Sequence, residues 1–198
     1  MTPKNKKVQE ALTLYREHRA NIKTGDILLW SGKGFCSTVI KKATKSPYSH
    51  TGIVLRSRYE GVLFVFESTA ISPLKSGVQL NLLSDRLLQA GKSEVFVRHL
   101  DKKLSLKQQD TLWANRSKWE GVRYESSVTD LALAGFGWFR ENDTGDLAIY
   151  CSELNKLNLE SIGLLEYQHK FHSPVDYSSM RELPLTKGYS YGEEIKIK

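Results

Sequence analysis

Two β-type runs, His50–Arg56 and Val62–Glu67, are separated only by Ser57-Arg58-Tyr59-Glu60, with Gly61 just after. A parallel pair needs a crossover of about a dozen residues or more, so these runs can pair only as an antiparallel hairpin. A four-residue loop at 57–60 sets an expected register. Arg56 opposes Gly61, Val54 opposes Leu63, Gly52 opposes Val65, and His50 opposes Glu67. Directly opposed side chains have Cβ atoms about 4.5–5.5 Å apart. The hairpin therefore sets an imidazole beside a carboxylate at its open end. A slip of one residue would send them to opposite faces.

The segments around the hairpin are not strictly alternating strands and helices. Lys7 to Ala20 has a helical pattern, with Val8, Ala11, Leu12 and Tyr15 on one face. Gly25-Asp26 breaks it, and Ile27 to Trp30 reads as a short buried strand. Phe35 to Thr44 reads as a helix ended by Ser46-Pro47, Ser84 to Ala90 as a helical turn closed by Gly91, and Glu94 to Leu100 as a strand. Ser105, with Gln108 three residues on, forms a capping box for a helix that runs to Glu120 and stops at Gly121. A further helix starts near Cys151. This order predicts an α+β fold with a mostly antiparallel sheet. Residues 1–23 are expected to be a basic helical extension, 24–186 the domain proper, and 187–198 a loose tail.

The net charge of +7 belongs to one end of the chain. Residues 1–50 hold 10 Lys/Arg and 3 Asp/Glu, and the remainder holds 19 of each sign. Such an excess can attract an anionic partner, but no nucleic-acid motif accompanies it. Two cysteines, neither in a CxxC pair, exclude a disulfide scaffold and a zinc ribbon. No apolar run of about 18 residues is present, and the polar start does not read as a signal peptide, so a cytoplasmic setting is expected, with phage or secreted-effector origins as the other settings. GxxxxGK[ST] and GxGxxG are both absent. His169 and His172 have helical spacing, but no nearby acid or cysteine completes a metal set. Neither a metal nor an organic cofactor is therefore expected.

What remains is a sulfur, an imidazole and a carboxyl. A carboxylate on one ring nitrogen fixes the tautomer and leaves the other nitrogen free as a base. Glu67 ends the apolar run Phe64-Val65-Phe66, where an unpaired buried charge would be costly. Cys151 follows Ala148-Ile149-Tyr150 and precedes a helix, whose N-terminal N–H groups favour thiolate and can stabilise an oxyanion. Cys36 also precedes a helix. On this chemistry alone, either thiol could be the nucleophile.

Four blocks break that tie: Gly25-Asp26-Ile27-Leu28, the stretch from Ala43 through Ser46-Pro47-Tyr48-Ser49-His50-Thr51-Gly52-Ile53-Val54, Phe66-Glu67, and Tyr150-Cys151-Ser152-Glu153-Leu154. Together they resemble the permuted papain-like amidases of the YiiX/YaeF type in the NlpC/P60 superfamily. The resemblance covers roughly residues 24 to 176. It implies a papain-like fold with a small antiparallel, barrel-like sheet packed against helices, and a circular permutation that puts His before Cys. It matches the general base to His50, the orienting acid to Glu67 and the nucleophile to Cys151. Cys36 falls where such proteins carry a small polar residue. Tyr48, Ser49 and Tyr150, beside the base and nucleophile, are the expected substrate contacts. Asn155 departs from the pattern by standing where an apolar helix residue is expected. The polar segment Glu141–Asp146 reads as a flap.

The expected activity is cleavage of an amide, in a peptide or an amidated small molecule, through an acyl-enzyme. Peptide, peptidoglycan-like or lipid substrates are all compatible with that chemistry. One alternative is a lipid-directed acyltransferase or phospholipase, with the apolar stretch Val128–Phe139 as its lipid contact. Another is a non-catalytic basic binding module.

Overall fold

A computed structural model describes residues 12–70, 76–123, 149–167, 172–186 and 188–198. The apolar stretch Val128–Phe139, the polar segment Glu141–Asp146 and His169 lie outside the described residues. Central strand β1 (Ile27–Ser31) is buried along its whole length. It pairs antiparallel with β2 (His50–Arg56) on one side and β5 (Glu94–Leu100) on the other. β3 (Leu63–Thr69) and β4 (Gly77–Leu82) extend the sheet beyond β2, and β6 (Tyr191–Lys196) extends it beyond β5. The order is β4-β3-β2-β1-β5-β6, antiparallel throughout.

Helices cover both faces. Ile27, Leu29, Ile53, Leu55 and Phe66 pack with Leu112 of α4 (Leu106–Trp119) and with Leu154 and Leu159 of α5 (Cys151–Ser161). Leu28, Trp30, Val54, Leu63 and Val65 face Tyr15 of α1 (Thr13–His18) and Leu83 and Leu87 of α3 (Leu83–Gln89). Alternate residues of one strand thus enter different cores, and a strand buried on both faces reads as a continuous apolar run. α2 (Phe35–Thr44) connects β1 to β2.

The fold class is α+β as expected, but the sheet is open rather than barrel-like. With both faces already covered, closing the sheet would bury little more apolar surface. The segment expected as a loose tail is corrected to an ordered edge strand. The buried Arg98 guanidinium donates to the carbonyls of Gly192 at 2.6 Å, Tyr191 at 3.1 Å and Tyr177 at 2.9 Å, which binds β6 to the body. The charges of Glu193, Glu194 and Lys196 discourage this edge from further pairing.

The hairpin register is also corrected. Arg56 pairs with Leu63, Val54 with Val65 and Ile53 with Phe66. Ser57 donates to Val62 O at 2.8 Å, so the four-residue loop is 58–61, one position later than expected. Gly61 has φ +61°, a left-handed conformation that glycine adopts at little cost, which places it inside the turn and not in the strand. Moving the loop by one shifts the pairing by two.

Candidate active site

An even shift preserves the face. His50 and Glu67 therefore remain on the same side of the sheet, and His50 Nε2 lies 2.5 Å from Glu67 Oε2. Gly52 is what allows this diagonal reach. A Cβ there would lie 3.2 Å from Glu67 Cβ and 2.7 Å from Val65 Cγ2, so any side chain would crowd the carboxylate's path. Trp30 pairs with His50 across β1 and β2, and the two rings meet edge-on with centroids 4.9 Å apart.

Glu67 is completely buried. Its Oε1 accepts from Arg86 Nε at 2.6 Å and from Asn81 Nδ2 at 2.9 Å, and its Oε2 faces His50. Burial raises the carboxyl pKa, but the Arg86 charge and then the His50 bond and charge more than offset this and hold it at about 2. Burial likewise lowers the His50 pKa, yet the Cys151 sulfur, followed by Glu67, outweighs it and holds the imidazole at about 9. With Nε2 committed to Glu67, the other ring nitrogen is left for Cys151, which is a side-chain hydrogen-bond partner of His50. His50 opens β2, so its ring stands at a strand end, where a group from the opposite layer can meet it.

Cys151 is the first residue of α5 and is 6% exposed. Tyr150 is the extended N-cap, with φ −76° and ψ 161°, and provides no side-chain cap. The first-turn N–H groups therefore direct their partial positive charge at the sulfur without competition from a cap. In the same turn, burial raises the Glu153 carboxyl pKa, only partly offset by the Tyr150 backbone and Lys156.

The residues next to His50 and Glu67 anchor α5 from the opposite face. Ser68 Oγ donates to Ile149 O at 2.5 Å, holding the approach to Cys151. Asn155 Nδ2 donates to Thr51 Oγ1 at 2.9 Å, and Thr51 Oγ1 donates to Leu28 O at 3.0 Å. Asn155 is thus a buried tie between α5 and β2, which accounts for a polar residue where an apolar one was expected. Tyr177 OH donates to Ser152 O at 2.8 Å from the short 3-10 turn Pro174–Tyr177.

The other expected site residues divide. Ser49 is buried, accepts from Gly32 N at 3.1 Å and donates to Trp30 O at 3.3 Å, and lines a cavity next to His50. Tyr48 is 7% exposed and packs edge-on against Phe96. Tyr150 is buried beside Cys151. Cys36 is exposed in the first turn of α2 and lines the same cavity as His50. Asp26, in the turn read as structural, is buried and accepts from Lys23 N, Leu100 N and His99 Nδ1 at 2.9, 3.0 and 2.7 Å.

Two members of the array were not anticipated. Asn81 lies on β4, whose strict alternation Val78-Gln79-Leu80-Asn81-Leu82 was a readable strand signal. Arg86 lies on α3, and no local pattern distinguishes it from a solvated arginine.

These features define an open-sheet α+β protein with a sulfur, an imidazole and a carboxylate in one array at one end of interior strands β2 and β3. No family model matches the chain. It is similar to YiiX, an uncharacterized protein of Escherichia coli (strain K12), with 29% identity over 176 residues, 88% of this chain and 75% of that protein. It is also similar to the crystal structure of YiiX from Escherichia coli O157:H7, which is described as a metalloprotein. The TM-score is 0.52 and the identity 26%, over 71% of this chain and 66% of that one, so the match spans just under two thirds of the solved chain.

Proposed function

We propose that the chain is a thiol hydrolase that cleaves an amide through Cys151, His50 and Glu67. The observation that carries this reading is His50, engaged by Glu67 on one side and by Cys151 on the other. The reacting form holds one proton between Cys151 and His50, on the imidazole as the sulfur attacks. Sγ attacks the amide carbon, and N–H groups at the start of α5 receive the developing oxyanion. The imidazolium gives its proton to the leaving nitrogen as the C–N bond breaks, which leaves a thioester. His50 then takes a proton from water, whose oxygen attacks the thioester. The acid leaves and the Cys151–His50 pair, with its one proton, is restored. Glu67 keeps the ring oriented throughout, and Arg86 keeps Glu67 ionised. The order of His before Cys and the similarity to YiiX support a permuted papain-like relationship within the NlpC/P60 superfamily.

The solved relative is described as a metalloprotein. The residues here do not fit a metal centre built on this array. Among the described residues no group of three or more His, Cys, Asp or Glu side chains is placed to hold one ion. Cys151 and His50 offer two donors, but Glu67 lies behind the ring with both oxygens taken by His50, Arg86 and Asn81. No described helix is long and apolar enough to cross a membrane. The lipid-directed alternative rests on Val128–Phe139, outside the described residues, and no described observation favours it.

The reading is tested by alkylation with iodoacetamide at neutral pH, with rates at each cysteine followed by peptide mass spectrometry. Buried Cys151 is expected to react faster than exposed Cys36, and His50→Ala is expected to remove that advantage. Fluorogenic amides supply the second arm, where Cys151→Ser abolishes turnover and Cys36→Ser does not. Faster reaction at Cys36, or turnover that survives Cys151→Ser, overturns the assignment.

A further inference from the structure

A cavity of about 330 Å³ opens beside His50, on the side of the sheet that carries Arg86. Its size suits a small ligand or one end of a larger one. Among the described residues no aspartate or glutamate lines it. Two of its lining residues each bury a donor that has no acceptor among the described residues: Arg86 Nη2 and Trp30 Nε1. Arg86 is 1% exposed and Trp30 is 3% exposed. The guanidinium lies over the Trp30 ring, 5.0 Å from its centroid, and spends only Nε on Glu67. Native proteins rarely leave such donors unpaired, and the exceptions tend to mark a binding role.

A third contribution comes from α2. Its N-cap, Gly34, is extended and provides no side-chain cap, and Gly34 through Ser37 line the cavity together with Lys33. The first-turn N–H groups of a ten-residue helix, a lysine, a guanidinium N–H and an indole N–H therefore border one space. Hydrogen-bond donors and positive charge, without an opposing carboxylate in the described lining, fit an oxygen anion.

We propose that this cavity is an anion subsite that seats a carboxylate or phosphate group next to His50. On the thiol-hydrolase reading, the substrate is an amide that carries such a group close to the scissile bond. The cavity's affinity for an oxygen anion does not itself depend on that reading. Arg86 then serves two sides of the site, with Nε on Glu67 and Nη2 toward the anion.

The test is ¹H–¹⁵N NMR of the full chain, titrated separately with inorganic phosphate and with acetate, against sodium chloride at matched ionic strength. The expected result is saturable shifts of the Trp30 indole N–H and of the backbone N–H groups of Phe35–Ser37. Saturation by phosphate alone assigns a phosphate-bearing ligand, and saturation by acetate alone assigns a carboxylate-bearing one. Trp30→Phe keeps a ring and removes one donor, so binding followed at Phe35–Ser37 should weaken about tenfold, the loss of one hydrogen bond to a charged group. Lys33→Ala, at an exposed position, should also weaken binding and gives a second reading if Trp30→Phe does not fold. Shifts that never saturate, that chloride reproduces, or that are unchanged in both variants overturn the subsite. Cys151→Ala should bind the anion like the wild type. Saturable binding without any amide turnover would sink the hydrolase reading and leave the subsite standing. Turnover of neutral and anionic amides alike, without anion binding, would sink the subsite alone.

Discussion

Arg86 and Glu67 form a completely buried ion pair, and its removal should be strongly non-additive. Opposite charges with centres about 4 Å apart attract by about 4 kcal/mol at an effective dielectric of about 20. The residues are 1% and 0% exposed, with Nε and Oε1 2.6 Å apart, so bulk solvent does little to screen them. Arg86→Met leaves a buried carboxylate with only His50 and Asn81. Glu67→Leu leaves a guanidinium and an imidazole without a counter-charge. Breaking a buried pair from one side costs about 3–5 kcal/mol, whereas replacing both partners by apolar side chains is often close to neutral. Arg86→Met should fall near the lower end of that range, since His50 still compensates, and Glu67→Leu near the upper end. The double variant should be no worse than the milder single one, at about 3 kcal/mol, so single losses of about 3 and about 5 kcal/mol give a coupling of at least about 5 kcal/mol. Urea unfolding at neutral pH, with the slope compared across the four proteins, measures this directly. Single losses that sum to the double loss within about 0.5 kcal/mol would show that the two side chains do not act as a pair.

Two further perturbations probe the same array. His50 is held at about 9, above its ordinary 6.5, so kcat/KM for an amide should stay level through neutrality and fall as pH rises past about 9, where the proton for the leaving group is lost. Glu67→Gln removes one source of that shift, so the alkaline limb should move downward; an unmoved limb would mean that another group titrates. The same shift makes this histidine's contribution to stability full below about 6.5 and lost as pH rises through about 9, which urea midpoints on either side of that window would register. Gly52→Ala puts a Cβ 2.7 Å from Val65 Cγ2 and 3.2 Å from Glu67 Cβ, a degree of overpacking that costs about 1–3 kcal/mol. It should lower the melting midpoint and slow alkylation at Cys151, and a variant unchanged in both would show that the diagonal contact tolerates a methyl group.

Much of this arrangement was legible because short-range rules govern it. The hairpin, the Ser105–Gln108 capping box and the helix that starts at Cys151 all follow from local composition. The capping box forms in both directions, as its spacing implies. The β6 strand was not legible, because Tyr-Gly-Glu-Glu-Ile-Lys has no clear alternation and is held by Arg98, 94 residues from Gly192 in the chain. Arg86 was invisible for the same reason: its role depends on α3 packing over the Glu67 face, a tertiary fact that an arginine in a short helix does not announce. The loop position was misread at Gly61. A glycine just after four polar residues looks like the first residue of the returning strand, but its left-handed φ makes it the last residue of the turn.

That misreading left the proposed chemistry intact, and the reason lies in the period of a β-strand. A loop displaced by one residue moves both strands' partners together, so pairing shifts by two and every side chain keeps its face. The same period explains how two strands serve two layers. His50 and Glu67 point toward α3 and meet Arg86. Their immediate neighbours Thr51 and Ser68 point toward α5 and hold Asn155 and Ile149. One step along either strand therefore separates the acid–base pair from the bonds that fix the helix bearing the sulfur. The backbone of β2 and β3 becomes the ruler between nucleophile and base. A substitution at Thr51 or Ser68 would loosen the position of Cys151 without touching the imidazole or its carboxylate.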